Sequence, residues 1–287
     1  MNRKYHLGVL YLILSAFFFA LMAVFIRLAG DIPSVEKAFF RNIVAFFIAG
    51  SMLVRSGEKI HIPERAWFPI IMRAAFGSIG IFCNFYAVDH LLLSDASILN
   101  KMSPFFAVVG SYFILKEKFT FSQGLAVFIA FLGGMFVVKP SFSSMDFVPA
   151  AIGLLGGVGA GLAYSFLRKA GSLGVNSSFV VLFFSAFSCI LCVPFMVINF
   201  VTPSLYQFVM LLLCGVSAAG GQFTITAAYY HAPAKEISVF DYTQLIFSTA
   251  FGYFIFSQTP DHYSIIGYLI ITSMAVWMFF YNKKHSE

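Results

Sequence analysis

"FIRLAG" at residues 25–30 and "FLRKAG" at residues 166–171 are near copies of one another, 141 residues apart. The same offset carries "DAS" (95–97) onto "EIS" (236–238), and Gly80 and Phe82 onto Gly221 and Phe223. It also pairs Arg27 with Arg168 and Gly30 with Gly171. Three separated segments in one register point to a duplicated unit. What that unit is follows from its solvent. Of the 287 residues 60% are apolar and only 10% charged, whereas a soluble domain carries about 25% charged residues. The mean hydropathy is +0.88. A chain of this size cannot hide so much apolar surface in its own core, so the missing solvent is lipid. The 38 phenylalanines, 22 glycines and 10 prolines suit membrane helices, which tolerate all three.

Apolar runs of about 20 residues are long enough to span a bilayer. Ten occur, at roughly 7–28, 34–54, 67–88, 92–115, 120–138, 148–168, 176–199, 204–229, 236–256 and 262–281. Five fall in each copy, an odd number, so the second copy enters the membrane upside down relative to the first. The expected fold is therefore all-α and integral to the membrane: ten transmembrane helices as two inverted five-helix repeats, residues 1–143 and 144–287. Inverted repeats characterise secondary transporters, whose substrate site lies near the midplane between the halves. No connection is large enough for a soluble domain, so function is expected within the membrane region.

Lysine and arginine in the loops set the orientation. With the N-terminus inside, twelve cations lie in the cytoplasmic loops and ends, and only Arg27 and Lys139 outside. Both termini are thus expected in the cytoplasm, and the protein is expected in the cytoplasmic (inner) membrane as a multi-pass chain. This distribution, rather than affinity for nucleic acid, accounts for the net charge of +6. The first apolar run, from Leu7 to Leu28, is longer than the core of a signal peptide.

Several chemistries lack a motif. There is no phosphate-binding Walker loop and no histidine pair at metal-ligand spacing, so no metal, no cofactor, no catalytic set and no enzyme activity are expected. The four cysteines, Cys83, Cys189, Cys192 and Cys214, lie inside apolar runs and read as packing residues. The small-residue stretch "GLLGGVGAG" (153–161) reads as a close helix contact.

Further segments carry a family resemblance: "EKAFFRN" (36–42), "SDASILNKMSPFFAVVGSYFILKEKF" (94–119), "LGGMFVVKP" (132–140), "EISVFDYTQLIFSTAFGYFIFSQTPD" (236–261) and "IIGYLIITSMAVW" (265–277). With them the chain resembles the drug/metabolite transporter superfamily, specifically the EamA-type ten-helix transporters, over nearly its whole length. The pattern departs at one place. The glutamate after the fourth span is present as Glu117, but its second-half counterpart is Gln258. The resemblance implies a central cavity lined mainly by the first four helices of each half. It also implies peripheral fifth and tenth helices that could serve a homodimer.

Four cations fall inside predicted spans: Lys37, Arg41, Arg73 and Lys101. Arg73 lies near the cytoplasmic start of its span, where it can snorkel outward. The others have no such exit. "LNKMSP" (99–104) sets Asn100, Lys101 and Pro104 in mid-span, and the offset pairs Asn100 with Asp241 and Lys101 with Tyr242. Pro104 removes one backbone donor and frees a carbonyl near Asn100. By span depth, Lys37, Arg41, Asn84, Asn100 and Lys101 belong to the outer half of the membrane, and Gln222, Glu236 and Asp241 to the inner half. Cations facing a cavity suit a carboxylate or phosphate. The expected substrate site is therefore Arg41 and Lys101 for an anionic group, with Asn84, Asn100, Gln222, Tyr242 and Gln244 orienting the solute. Asp241 is the coupling candidate, and Glu36, Lys37, Asp95 and Glu236 are secondary. The competing reading is plain neutralisation, with Lys37 or Arg41 paired to Glu36 or Asp95 and Lys101 to an acid across the bundle. Tyr86, Tyr164, Tyr229 and Tyr242 are candidate cavity walls.

The function this predicts is transport of a small polar organic solute, an amino acid or related carboxylate-bearing metabolite, by alternating access with Asp241 available for proton coupling. An uptake carrier for a vitamin or nucleotide-like cofactor and a lipid-carrier flippase are the alternatives. The expected partners are that solute and membrane lipid, with no nucleic acid.

Overall fold

The computed structural model describes residues 3–56, 62–116, 120–138, 147–231 and 238–284. Within them the chain is helical, without strands, and runs α1 (Arg3–Leu28), α2 (Ser34–Ser56), α3 (Trp67–His90), α4 (Leu93–Asn100), α5 (Ser103–Ile114) and α6 (Phe121–Val138). It continues with α7 (Phe147–Ser172), α8 (Ser177–Asn199), α9 (Leu205–His231), α10 (Thr243–Phe256) and α11 (His262–Lys284). Short 3-10 turns at Glu64–Ala66 and Ser238–Tyr242 precede α3 and α10. Seven helices among the described residues are long and apolar enough to cross a membrane.

Two expected spans are not continuous α-helices. The run 92–115 arrives as α4 and α5, separated at Lys101 and Met102. Pro104 supplies the reason: it has no N–H to give, so the helix stops and restarts with the proline in its first turn. The run 236–256 begins instead as the 3-10 turn Ser238–Tyr242 before α10 takes over. No proline marks this second break.

The helices pack in pairs: α1 on α9, α3 on α7, α2 on α8, and α6 on α11, with α5 also against α7 and α10 against α1. The α3–α7 seam brings backbone to backbone. A Cβ added at Gly159 would stand 3.0 Å from the Gly80 nitrogen, and one at Gly80 would stand 3.0 Å from the Ala160 nitrogen. Lower on α7, Gly157 faces the Leu99 carbonyl and Gly161 the Ser103 carbonyl, both at 2.6 Å from a built Cβ. The glycine-rich stretch thus seats α7 against α3 and against the α4–α5 break, as close packing of small residues allows. Phe85, Ile98, Leu99, Met102 and Phe105 fill the buried space where these elements meet. Phe113, Phe121, Ile190 and Phe254 project outward on the lipid-facing surface.

Turns at the helix ends carry a trace of the 141-residue offset. Lys116 (φ 56°) and Ser257 (φ 53°), one offset apart, are the described non-glycine residues with positive φ. Gly30 takes φ 64° after α1. Its aligned Gly171 instead remains within α7, and the left-handed turn falls at Gly174 (φ 82°), about one helical turn later.

Candidate functional site

The two helix breaks meet. Lys101 Nζ donates to Asp241 Oδ2 at 2.5 Å, and the Tyr242 hydroxyl donates to the Lys101 carbonyl at 3.0 Å. That carbonyl is one orphaned by the break, so the cost of interrupting α4 is met by a side chain from the opposite break. Ser97 donates to Ser248 at 2.6 Å nearby. This corrects the expected depth gradient: Lys101 and Asp241 lie at one level, because both breaks turn toward the same point. It also gives Lys101 a carboxylate of its own, and makes Tyr242 a strut between the breaks. The second carboxylate oxygen of Asp241, Oδ1, is buried without a hydrogen-bond partner.

At the start of α2 a second pair ties that helix to the end of α3. Lys37, 1% exposed, donates to Asp89 Oδ1 at 2.5 Å, and the Ser34 hydroxyl donates to Oδ2 at 2.8 Å. Asp89, at the end of α3, is the partner, in place of the expected Glu36 or Asp95. Glu36 instead accepts from the Val201 N–H at 3.2 Å, and Asp95 from the Tyr268 hydroxyl at 2.5 Å. Arg27 donates to the backbone carbonyl of Leu91, capping the end of α3. Gln258 accepts from the Leu93 N–H at 3.1 Å, a bond its amide oxygen makes as well as a carboxylate would.

Arg41 and Arg73 differ from both lysines. Arg41 lies about 10 Å along α2 from Ser34, and Arg73 about 9 Å along α3 from Trp67, at 1.5 Å per residue. These helices start at opposite ends of the bundle, yet both side chains reach Phe184 of α8. The Arg73 guanidinium carbon is 4.2 Å from the ring centroid, and that of Arg41 is 5.9 Å away. Arg73 therefore does not snorkel toward its own end. Its Nη1 lies 2.2 Å from where a Cβ on Gly77 would be, one turn deeper along α3. Gly77 leaves room for an arginine that folds inward. Arg41 Nη1 donates to Asn42 Oδ1 at 2.7 Å, and the Nε atoms of both arginines are buried without a partner. Neither arginine has a carboxylate within salt-bridge distance among the described residues.

The energies show why this matters. A cation at mid-membrane costs about 2.5–3.5 kcal/mol on insertion scales. A desolvated aromatic face returns about 2 kcal/mol or more to one cation, and here two cations share one ring. Among the described residues no carboxylate neutralises either arginine. Tyr164 of α7 lies within electrostatic reach of Arg41, Arg73 and Asp241 and is 47% exposed.

Among the remaining expected residues, Gln244 is buried at 7% exposure, while Asn84, Asn100 and Gln222 are half-buried. Asn84 lies on α3 where Gly156 of α7 approaches its backbone. Glu236 and Glu117 lie outside the described residues, as does the Tyr229 side chain. Tyr86 stacks on His90 with ring centroids 4.1 Å apart. Among the described residues no three His, Cys, Asp or Glu side chains gather as metal ligands.

Comparison with known proteins adds an independent line. The family model described as the EamA-like transporter family matches residues 6–139. The pseudopaline exporter CntI of Pseudomonas aeruginosa is 31% identical over 270 residues, covering 92% of this chain and 93% of its own. An S-adenosylmethionine uptake transporter of Rickettsia bellii is 24% identical, covering 98% and 96%. A riboflavin transporter of Brucella anthropi is also 24% identical, covering 80% and 82%. One solved protein crystal structure superposes with a TM-score of 0.67 over 98% of this chain and 99% of its own, at 13% identity, a likeness of fold.

Proposed function

Because the chain belongs to the EamA-like transporter family, we propose that it carries a small polar metabolite bearing a carboxylate across the cytoplasmic membrane by alternating access. It is a multi-pass membrane transporter of small metabolites and not an enzyme. Within that frame our reading is ten crossings in two inverted repeats, 1–143 and 144–287, with both termini in the cytoplasm. Three features support it. The α1–α9 and α3–α7 contacts exchange under the offset, the α2–α8 and α6–α11 contacts map onto themselves, and Lys116 and Ser257 take matching turns.

The observation that carries the substrate class is Arg41, whose guanidinium is aimed into the bundle with Nε buried and unpartnered. A carboxylate offers that group the hydrogen bonds and charge it lacks. Lys101, already held by Asp241, serves the site indirectly: a proton on Asp241 would free the ammonium, which makes Asp241 the proposed coupling group. Asn84, Asn100, Gln222 and Gln244 remain the proposed orienting contacts.

Thermal melting of the purified protein tests the assignment, since a ligand that prefers the folded state raises the melting temperature. Amino acids and their carboxamides should separate, with only the carboxylates stabilising. Arg41→Ala should remove that stabilisation. Equal stabilisation by acid and amide, or its survival in Arg41→Ala, would reject a carboxylate at Arg41.

A further inference from the structure

Arg73 is the cation that span depth assigns to the membrane surface and that the folded chain sends inward. Its guanidinium passes over Gly77 and lies 4.2 Å from the Phe184 centroid. On the same ring, at 5.9 Å, is the guanidinium of Arg41. Each arginine keeps a buried, unpartnered Nε. The two buried lysines are treated differently, each holding a carboxylate at 2.5 Å. The two lysines are neutralised one by one, and these two arginines are placed together on one ring.

Two like charges sharing one small ring repel, and the repulsion is not screened as it would be in water. Such an arrangement is costly while empty and favourable once filled by anions. One carboxylate satisfies one guanidinium fork. One carboxylate also carries a single negative charge against two positive ones, so a second anionic group is needed to neutralise the pair. The apolar ring both cations share suits a hydrocarbon segment joining the two groups.

We propose that Arg73 and Arg41 form a two-guanidinium clamp on Phe184, and that the transported solute is a dianion with an apolar segment between its charged groups. The inference rests on the carboxylate site above and narrows it. Arg73 sets specificity here, while Arg41 is the anchor. Either two carboxylates, or a carboxylate and a phosphate, meet this requirement.

The experiment compares matched pairs by thermal melting of the purified full chain. Succinate, glutarate and adipate are each measured beside their monoamides, and O-phosphoserine beside serine. The expected result is that at least one dianion stabilises at a concentration tenfold or more below its partner. Arg73→Gln should collapse that ratio toward one while leaving the weaker binding of the monoanion. Arg41→Gln should remove both. Gly77→Ala keeps Arg73 but pushes its guanidinium off the ring, and should also lower the ratio. The pair that responds separates a dicarboxylate from a phosphate-bearing solute. A ratio unchanged in Arg73→Gln, with stabilisation still lost in Arg41→Gln, overturns the clamp and leaves the carboxylate site intact. Failure of every dianion to exceed its partner also overturns it, and stabilisation that ignores Arg41 removes both readings.

Discussion

Lys101 and Asp241 hold one another at 2.5 Å where the two helix breaks cross, so deleting either leaves a bare charge inside the bundle. Lys101→Met should therefore destabilise the fold by about 3–5 kcal/mol, as broken buried pairs do. The double change Lys101→Met with Asp241→Leu should recover most of that loss, because neither charge then remains. Melting temperatures of the two single variants and the double variant decide the matter. A double variant no better than the singles would show that the pair is not what the break depends on. The pairing was partly legible beforehand, since the 141-residue offset aligned the polar positions of both spans. Arg73 was not legible. Distance from a span end locates a Cα, but the direction of a long side chain depends on its neighbours. Here the decisive neighbour is Gly77, whose missing Cβ opens the inward path. Asp89 was overlooked for a related reason: its contact with Lys37 joins the start of α2 to the end of α3, and neither apolar run announces that meeting.

Among the elements, α7 bears the most constraint. Its glycines meet backbone on α3 and at the α4–α5 break. Gly159→Val should force α7 from α3 and cost about 1–3 kcal/mol, the usual range for overpacking. Gly171 on the same helix has nothing within 4 Å of a built Cβ. Gly171→Ala should instead stabilise by up to about 1 kcal/mol, from helix propensity alone. Chemical denaturation in mild detergent would compare them, and losses of similar size at both sites would contradict the seam. Helix positions were readable because apolar length is dictated by the bilayer. The break ahead of α5 was readable because proline forces it. The one ahead of α10 was hidden, since it arises where Tyr242 reaches the opposite break and no local residue demands it.

For the whole molecule, the polar ties between elements collect at one end of the bundle. Lys37–Asp89–Ser34, Arg27 on the Leu91 carbonyl, Glu36 on Val201 and Gln258 on Leu93 all gather there. Our orientation places that end outside. The offset maps Lys37 onto Ser178 and Asp89 onto Tyr230, so the opposite end lacks the matching ion pair. Asp89→Asn should weaken the outer closure. A cysteine replacing Asn84, in a chain with its native cysteines changed to alanine, should then react at least several-fold faster with a membrane-impermeant thiol reagent added outside. Unchanged labelling would mean that Lys37 and Asp89 support the helices without closing the path.

The guanidiniums on Phe184 also have a consequence in an electric field. A carrier that seals first one side and then the other shifts the membrane voltage from one side of its fixed charges to the opposite side. Moving one elementary charge through that drop is worth about 2.3 kcal/mol per 100 mV. With Arg41 and Arg73 uncompensated, the empty carrier switches as a doubly positive object. Filled by a dianion, with Asp241 ionised against Lys101, it switches as a neutral one. An imposed potential should therefore alter the return of the unloaded protein and leave the loaded passage nearly untouched, so that net transport responds to voltage while one-for-one exchange does not.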